Sequence, residues 1–414
     1  MVELPLGSDE EVREQYLSWR GTVRFGKLLE DADAFAGTVA FVHCDDGNAE
    51  TAPQRLVTAA VERIDVRRPI PVDDMVLCGN VTWTGRSSLR VGMSLGRKED
   101  AASASTSSPI RDPVLTASFV FVALSADGSP TQVNPLSPGT ELERSRFEDG
   151  ARAVARQRAD RAASLDSTAP GDEESELIHR LLVSGRGGAG RAATSVPASP
   201  GVAAAAVDLS GPGDDCVLLS STSVTTSTLT QPQERNTAGK VFGGFLCRKA
   251  FEAAHTAASL LALRSGVDCV PELVGADNIT FDRPVEVGRL LTLSASVVYT
   301  GAEGDEGEAS GSAGAGDGVA VSAGQMCHVR ADATVLNMTT GEQTTSNAFH
   351  FTFLCSPGRS RSLPGTAGAG AGRTTLRPVR PETYADAMAF LDGRRRLRRS
   401  LSIGRSIGSA LVPR

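Results

Sequence analysis

The stretch that most constrains the fold is an apolar segment that follows a glycine pair, Gly243 and Gly244. Residues 245–264 contain no proline or glycine, and their apolar side chains recur at three- and four-residue spacing, which predicts an α-helix. Because apolar residues and alanine occupy most of this helix, it must be buried on most of its sides. The rest of the chain therefore has to supply the surface that covers it.

The glycine pair leaves the first turn of this helix without side chains. Unpaired N–H groups at the positive end of the helix dipole are open to a ligand there. A tight turn into a core helix explains the same pattern, and spacing alone does not separate the two interpretations.

The first half of the chain repeats in the second half. A helix predicted over residues 25–42 also begins at a glycine, and Gly26 and Gly244 lie 218 residues apart. The Arg-Pro pair at Arg68 recurs at Arg283, 215 residues later. Residues 116–122 are echoed by 346–352, at a larger offset because of a Gly-rich insertion at 301–318. The order of these features indicates an internal duplication.

Each half offers one long buried helix and an antiparallel sheet that can wrap it, which predicts an α+β fold. Strand patterns in the first half cover residues 55–65, 75–83, 88–95 and 114–124. The predicted domains are 1–136 and 214–392, separated by 137–213 and followed by a basic tail at 393–414 whose charges we expect to be solvated. The separating segment combines charged helices with a Gly/Ala/Ser/Pro-rich stretch at 185–213, which is typical of a flexible linker.

Composition excludes several functions. The formal net charge of −7 argues against a general nucleic-acid binder, and no apolar run reaches eighteen residues, so no membrane span is predicted. The seven cysteines contain no CxxC pair, which favours free thiols in a reducing compartment. The five histidines form no metal-ligand motif, and no metal or cofactor is expected.

Asp33 is the carboxylate of interest on the first helix. Leu29 lies one turn before it, and Ala36 and Gly37 lie one turn after it, so Asp33 sits at the edge of the apolar stripe. Partial desolvation would favour its neutral form and make it a better base. An ordinary solvated aspartate at a helix boundary gives the same pattern.

The motif Asn236-x-x-Gly-x-x-Phe-Gly-Gly resembles the start of the central helix in hotdog-fold acyl-coenzyme A thioesterases. Further phrases resemble the acyl-coenzyme A thioesterase 9 family over nearly the whole chain: Leu4-Pro-Leu-Gly-Ser, Thr22-Val-Arg-Phe-Gly, Leu29-Glu-Asp-Ala-Asp33, Val133-Asn-Pro-Leu, Pro232-Gln-Glu-Arg-Asn236, Arg283-Pro-Val-Glu-Val-Gly288, Ala348-Phe-His-Phe-Thr-Phe and Phe390-Leu-Asp-Gly393. A glycine pair before a helix is weak evidence, but the set together is specific.

The resemblance implies two tandem hotdog domains, each an antiparallel sheet wrapped around a long helix. It implies hydrolysis of acyl-CoA thioesters to free fatty acid and coenzyme A, in a homo-oligomer. It also implies a mitochondrial location, although the chain begins where the mature domain of the family begins and shows no transit peptide. A cytoplasmic location is the alternative.

The family pattern further implies a site shared between the halves. An Asn precedes one helix by seven residues, and a carboxylate follows the second glycine position of the other helix by seven. These rules select Asn236 and Asp33 for one site, but Ser18 and Phe251 for the other. We therefore expect one complete site and one degenerate site.

Thioester hydrolysis needs a stabilised oxyanion and a delivered nucleophile. The backbone N–H of Gly243 or Gly244 is the candidate oxyanion donor. Asp33 is the general base, or a nucleophile that forms a mixed anhydride, and Asn236 orients the water or the carbonyl.

Two other classes remain open. A hotdog enoyl-CoA hydratase typically uses a histidine paired with a carboxylate, and His43 and His255 are the helix-associated candidates. A non-catalytic acyl-CoA-binding protein would not need the Asn236 and Asp33 pair. Acyl-chain length depends on packing that sequence does not reveal.

Overall fold

A computed structural model describes residues 1–48, 55–98, 110, 112–125, 127–165, 167–186, 216–281, 283–302, 325–356 and 374–408. The helices are α1 Glu10–Tyr16, α2 Phe25–Cys44, α3 Glu141–Ala162, α4 Asp172–Arg186, α5 Gly243–Ser265 and α6 Tyr384–Gly408. The strands are β1 Val2–Pro5, β2 Arg55–Val66, β3 Asp74–Thr84, β4 Ser88–Arg97, β5 Leu115–Leu124, β6 Val217–Leu218, β7 Val224–Leu229, β8 Glu272–Thr280, β9 Leu290–Ala302, β10 Gln325–Leu336, β11 Gln343–Cys355 and β12 Val379–Arg380.

Ten of the strands form one sheet in the order β1-β3-β4-β5-β2-β8-β11-β10-β9-β7, and β6 pairs with β12 separately. Every neighbouring pair in the ten-stranded sheet is antiparallel. When the strands of this sheet are numbered within each half, starting from β1 and from β7, both halves have the order 1-3-4-5-2. The identical order agrees with the predicted duplication. The halves join where β2 pairs with β8, from Ala60 opposite Thr280 to Asp65 opposite Gly275.

The two long helices lie against the sheet and against each other. α2 packs on β2 to β5, and α5 packs on β7, β9, β10 and β11. Small residues make this close packing possible, because Ala36 and Ala40 of α2 and Ala254 and Ala257 of α5 are completely buried. The prediction that the helix after Gly243 is buried on most sides is confirmed.

The turns before α2 and α5 have the same backbone design. Asn236 Oδ1 accepts hydrogen bonds from the N–H groups of Ala238 (2.9 Å) and Lys240 (3.1 Å). Ser18 Oγ accepts from the N–H groups at positions 20 and 22, both at 3.3 Å. Both residues therefore fix the turn that delivers the chain to the start of its helix.

The segment between the halves contributes helices that dock on the sheet assembly. α3 packs on β3, and α4 packs on α6, where Ile178 meets Ala387 and Leu391. The Gly/Ala/Ser/Pro-rich stretch lies outside the described residues from 187 onward, and the 301–318 insertion lies outside them from 303 onward.

The C-terminal helix α6 continues through Gly393, so the predicted boundary at 392/393 falls inside it. The prediction that its basic end is solvated is wrong for Arg395. Its Nε donates to Glu174 Oε1 (2.7 Å), and its Nη2 donates to Glu174 Oε2 (2.5 Å). The acidic first turn of α4 faces the basic end of α6, which explains the pairing.

The approach of α5 to α2 predicts unequal effects of two equivalent substitutions. A Cβ on Gly244 would lie 2.8 Å from the backbone oxygen of Glu30, whereas a Cβ on Gly26 would meet its nearest side-chain atoms at 3.3 Å. Gly244→Ala should therefore lower the free energy of unfolding by about 1–3 kcal/mol. Gly26→Ala should change it by less than about 1 kcal/mol, because the helix propensity of alanine offsets the tight contact. Urea denaturation of both variants measures the difference, and equal losses would contradict this packing.

Candidate active site

Asp33 of α2 lies against the first residues of α5. Its side chain is only 1% exposed, and Thr58 Oγ1 donates a hydrogen bond to Oδ1 at 3.0 Å. The other oxygen, Oδ2, has no hydrogen-bond partner among the described residues. A Cβ on Gly243 would be 3.3 Å from Oδ2, so the structure brings Asp33 and Gly243 together across the two halves.

The burial of Asp33 changes its acidity. Desolvation raises its pKa to about 7, while the hydrogen bond from Thr58 and the N–H of Gly244 act in the opposite direction. Desolvation has the larger effect because the side chain of Asp33 is almost completely buried. Asp33 lies deeper than the stripe edge predicted from the sequence. A base with a pKa near 7 suits proton transfer at neutral pH.

The start of α5 has no side-chain cap. Phe242 occupies the N-cap position and makes no capping hydrogen bond, so the first N–H groups of the helix are not satisfied by a side chain. The N–H of Gly244 faces the Asp33 carboxyl group. The N–H of Gly243 has no hydrogen-bond partner in the described part of the chain, which leaves it open to an incoming oxygen.

Asn236 presents its amide nitrogen away from its own turn. Because both donors at its Oδ1 are backbone N–H groups, the amide oxygen must be the atom that faces them. The Nδ2 group makes no hydrogen bond to another described residue, and none joins Asn236 to Asp33. Asn236 is therefore held by its oxygen and can donate through its nitrogen. Ser18 holds the equivalent turn with its hydroxyl oxygen, and that hydroxyl also lies 2.8 Å from Thr22 Oγ1.

Aromatic rings occupy the positions equivalent to Asp33 and Gly243 at the degenerate site. Phe251 stands where Asp33 stands, and Phe25 stands where Gly243 stands, by the 218-residue offset. Their ring centroids are 5.0 Å apart, and a Cβ on Gly26 would lie 3.3 Å from the Phe251 ring. This second position is filled with apolar side chains, and Phe251 stands there in place of a carboxylate.

Thr58 is a site residue that was not predicted from the sequence. The offset of 215 between the Arg-Pro pairs places Leu273 at the equivalent position in the second half. The available signal in the sequence was a hydroxyl side chain at this position in the first half alone. The first half is also the one that carries Asp33. Thr58 holds the carboxyl group in place and supplies its one hydrogen bond of good geometry among the described residues.

The histidines of the hydratase alternative lie elsewhere. His43 Nε2 is 2.9 Å from the backbone oxygen of Asn134. His255 packs its ring on Phe251, with 5.9 Å between the ring centroids, at the degenerate position. Neither histidine contacts Asp33 in the described structure. All seven cysteines are free thiols. The described residues contain no helix long and apolar enough to cross a bilayer.

Comparison with known proteins identifies the chain. No protein-family model matches it. It is 31% identical over 398 residues to human (Homo sapiens) mitochondrial acyl-coenzyme A thioesterase 9, covering 95% of this chain and 75% of that protein. It is 36% identical over 296 residues to the chloroplastic acyl-coenzyme A thioesterase 2 of Humulus lupulus, covering 71% and 61% of the two chains.

A solved structure of a putative oleoyl thioesterase from Lactobacillus plantarum covers 83% of this chain and 93% of its own, with 10% identity and a TM-score of 0.39. The sequence relatives define the class of the protein, which is a thioester hydrolase. Within that class, the chain belongs to the acyl-coenzyme A thioesterase 9 family.

Proposed function

We propose that the protein hydrolyses acyl-CoA thioesters to free fatty acid and coenzyme A at a single site built from both halves. The observation that carries the proposal is the buried Asp33 carboxyl group, whose unpartnered Oδ2 lies beside the uncapped start of α5. Asn236 and Gly243 come from the second half, and Asp33 and Thr58 come from the first half. A chain with either half alone would lack part of this set.

The geometry supports a direct route for the reaction. The thioester oxygen lies on the N–H of Gly243, which stabilises the negative charge that develops on it. Asp33 Oδ2 takes a proton from water as the water oxygen bonds to the carbonyl carbon, and the C–S bond then breaks to release the CoA thiolate. The N–H of Gly244 is the alternative donor to the thioester oxygen.

A covalent route uses the same atoms. Asp33 Oδ2 attacks the carbonyl carbon, the C–S bond breaks, and the resulting mixed anhydride is hydrolysed by water. In both routes Asn236 Nδ2 donates to the carbonyl oxygen or holds the water. Incorporation of 18O from labelled water into Asp33 during a single turnover would demonstrate the covalent route, because only an anhydride that water attacks at the Asp33 carboxyl carbon can transfer that oxygen to the protein.

The domain organisation is also a proposal. Residues 1–136 and 214–392 form tandem hotdog domains, residues 137–213 connect them, and residues 393–414 follow. The identical strand order of the halves, each with one long helix against its strands, supports this division. Limited proteolysis between 187 and 213 should leave both halves intact and associated, and degradation of either half would contradict it.

Location and assembly complete the proposal. The relatives named as mitochondrial support a mitochondrial location, and fractionation that recovers the native protein only from the cytosol would contradict it. We also propose a homo-oligomer of these chains, with acyl-CoA as the small-molecule partner. Light scattering that gives only the 43.1 kDa monomer would contradict the assembly.

Asp33→Asn tests the carboxylate directly. The substitution keeps the size of the side chain and its contact with Thr58, while turnover should fall by about 10² or more because the base is lost. Glu252→Gln is the matched control, because Glu252 lies at the surface with Arg24 (3.4 Å) and Arg248 (3.3 Å). CoA release from acyl-CoA, followed with a thiol reagent, measures both variants. Equal losses would mean that Asp33 has no special role.

Gly243→Ala tests the start of α5. The backbone of Gly243 is outside the left-handed region, and a Cβ there would meet its nearest atoms at 3.3 Å, so we expect the fold to be retained. The methyl group would occupy the space beside Asp33 Oδ2, and turnover should fall by about 10²–10³, as when an oxyanion donor is lost. Thermal melting and CoA release measure the two effects. A variant with normal melting and normal turnover would leave Gly243 with a structural role only.

A further inference from the structure

Phe281 shares the small space above Gly243 with the Asp33 carboxyl group. A Cβ built on Gly243 would lie 3.3 Å from Phe281 Cζ and 3.3 Å from Asp33 Oδ2. The third atom near this point is Cβ of Thr58, at 3.5 Å. The tip of an apolar ring and an unpartnered carboxyl oxygen therefore border the same methyl-sized opening, into which a Cβ at Gly243 would fit only tightly.

The ring of Phe281 is held in a defined position. Its backbone N–H donates to the oxygen of Ala59 on β2 at 3.0 Å, which ties the end of β8 to the first half. The ring meets the completely buried ring of Phe349 edge to face, with 6.3 Å between the centroids. Phe281 itself is half-buried, so one part of the ring is anchored in the core while its tip borders the opening.

The part of the substrate that the tip of the Phe281 ring contacts depends on where the thioester binds. That position rests on the proposed function. With the carbonyl oxygen on the N–H of Gly243 and the carbonyl carbon within reach of Asp33 Oδ2, the two remaining substituents of that carbon are sulfur and the acyl α-carbon. The face of the opening that Phe281 closes is apolar and rigid. An apolar wall suits the alkyl substituent, because it cannot hydrogen-bond to water or to a polar group.

We propose that Phe281 is a specificity-determining residue that limits the room around the acyl α-carbon and so selects straight-chain over α-branched acyl-CoA. The degenerate site gives the comparison. The 215-residue offset from Phe281 leads to Val66, a much smaller side chain. An aromatic ring is therefore present at this position in the second half, which carries Gly243, and not in the first half.

The test compares kcat/KM for isobutyryl-CoA with kcat/KM for butyryl-CoA, two substrates that differ at the α-carbon. Phe281→Leu replaces the ring with a smaller side chain and leaves more room beside the α-carbon. It should raise the ratio of kcat/KM for isobutyryl-CoA to kcat/KM for butyryl-CoA by about tenfold, the scale of one methylene in an apolar pocket. Phe281→Trp extends the wall and should lower the ratio. Val66→Leu, the matched control at the degenerate position, should leave the ratio at the wild-type value.

The outcomes separate this proposal from the function on which it rests. An unchanged ratio in Phe281→Leu, or in Phe281→Trp if the leucine variant does not fold, would overturn the role of Phe281 while CoA release continued. An equal change in Val66→Leu would overturn it as well, because the effect would then be general loosening of the fold. No CoA release by the wild-type protein from any thioester would instead contradict the proposed function.

Discussion

The contact between α2 and α5 is the constraint on which the rest of the structure depends. The missing Cβ of Gly244 lets the start of α5 reach the backbone of α2 at Glu30. Next to this approach, Arg248 Nη1 pairs with Glu30 Oε2 at 2.9 Å, between two side chains that are each less than a third exposed. The pairing of β2 with β8 brings the sheets together, but the helix contact places the carboxyl group of one half against the N–H groups of the other.

Two opposing electrostatic effects meet at Asp33. The N–H groups at the start of a helix stabilise a carboxylate, whereas removal from water destabilises it. Burial has the larger effect here, and the pKa rises to about 7. Raising the pKa from 3.8 to about 7 corresponds to roughly 4 kcal/mol against the ionised form, which the packing of the surrounding helices and strands must offset. The protein thus keeps a carboxyl group with a raised pKa in a buried position at the junction of its halves.

Much of this arrangement could be predicted from the sequence, because it depends on local spacing and on repetition. The Gly243 helix and the duplication follow from counting residues, whereas the association of Asp33 with the second half follows from the family resemblance. Thr58 and Phe281 could not be predicted in this way, since their roles depend on which strand ends face α2 and α5. The pairing of Arg395 with Glu174 was missed for the same reason, because it joins helices 221 residues apart in the chain.

The pH dependence of kcat/KM for acyl-CoA hydrolysis tests most directly whether the buried Asp33 carboxylate is the base or nucleophile. Because the ionised form is required and the pKa of Asp33 in the free protein is about 7, kcat/KM should fall tenfold per pH unit below pH 7 and level off above it. In a Thr58→Val variant the pH below which kcat/KM falls should be higher, because the hydrogen bond that lowers the pKa of Asp33 is lost. This account would be contradicted if kcat/KM fell only below about pH 4, the range of an ordinary aspartate, or if Thr58→Val did not change the pH at which the fall begins.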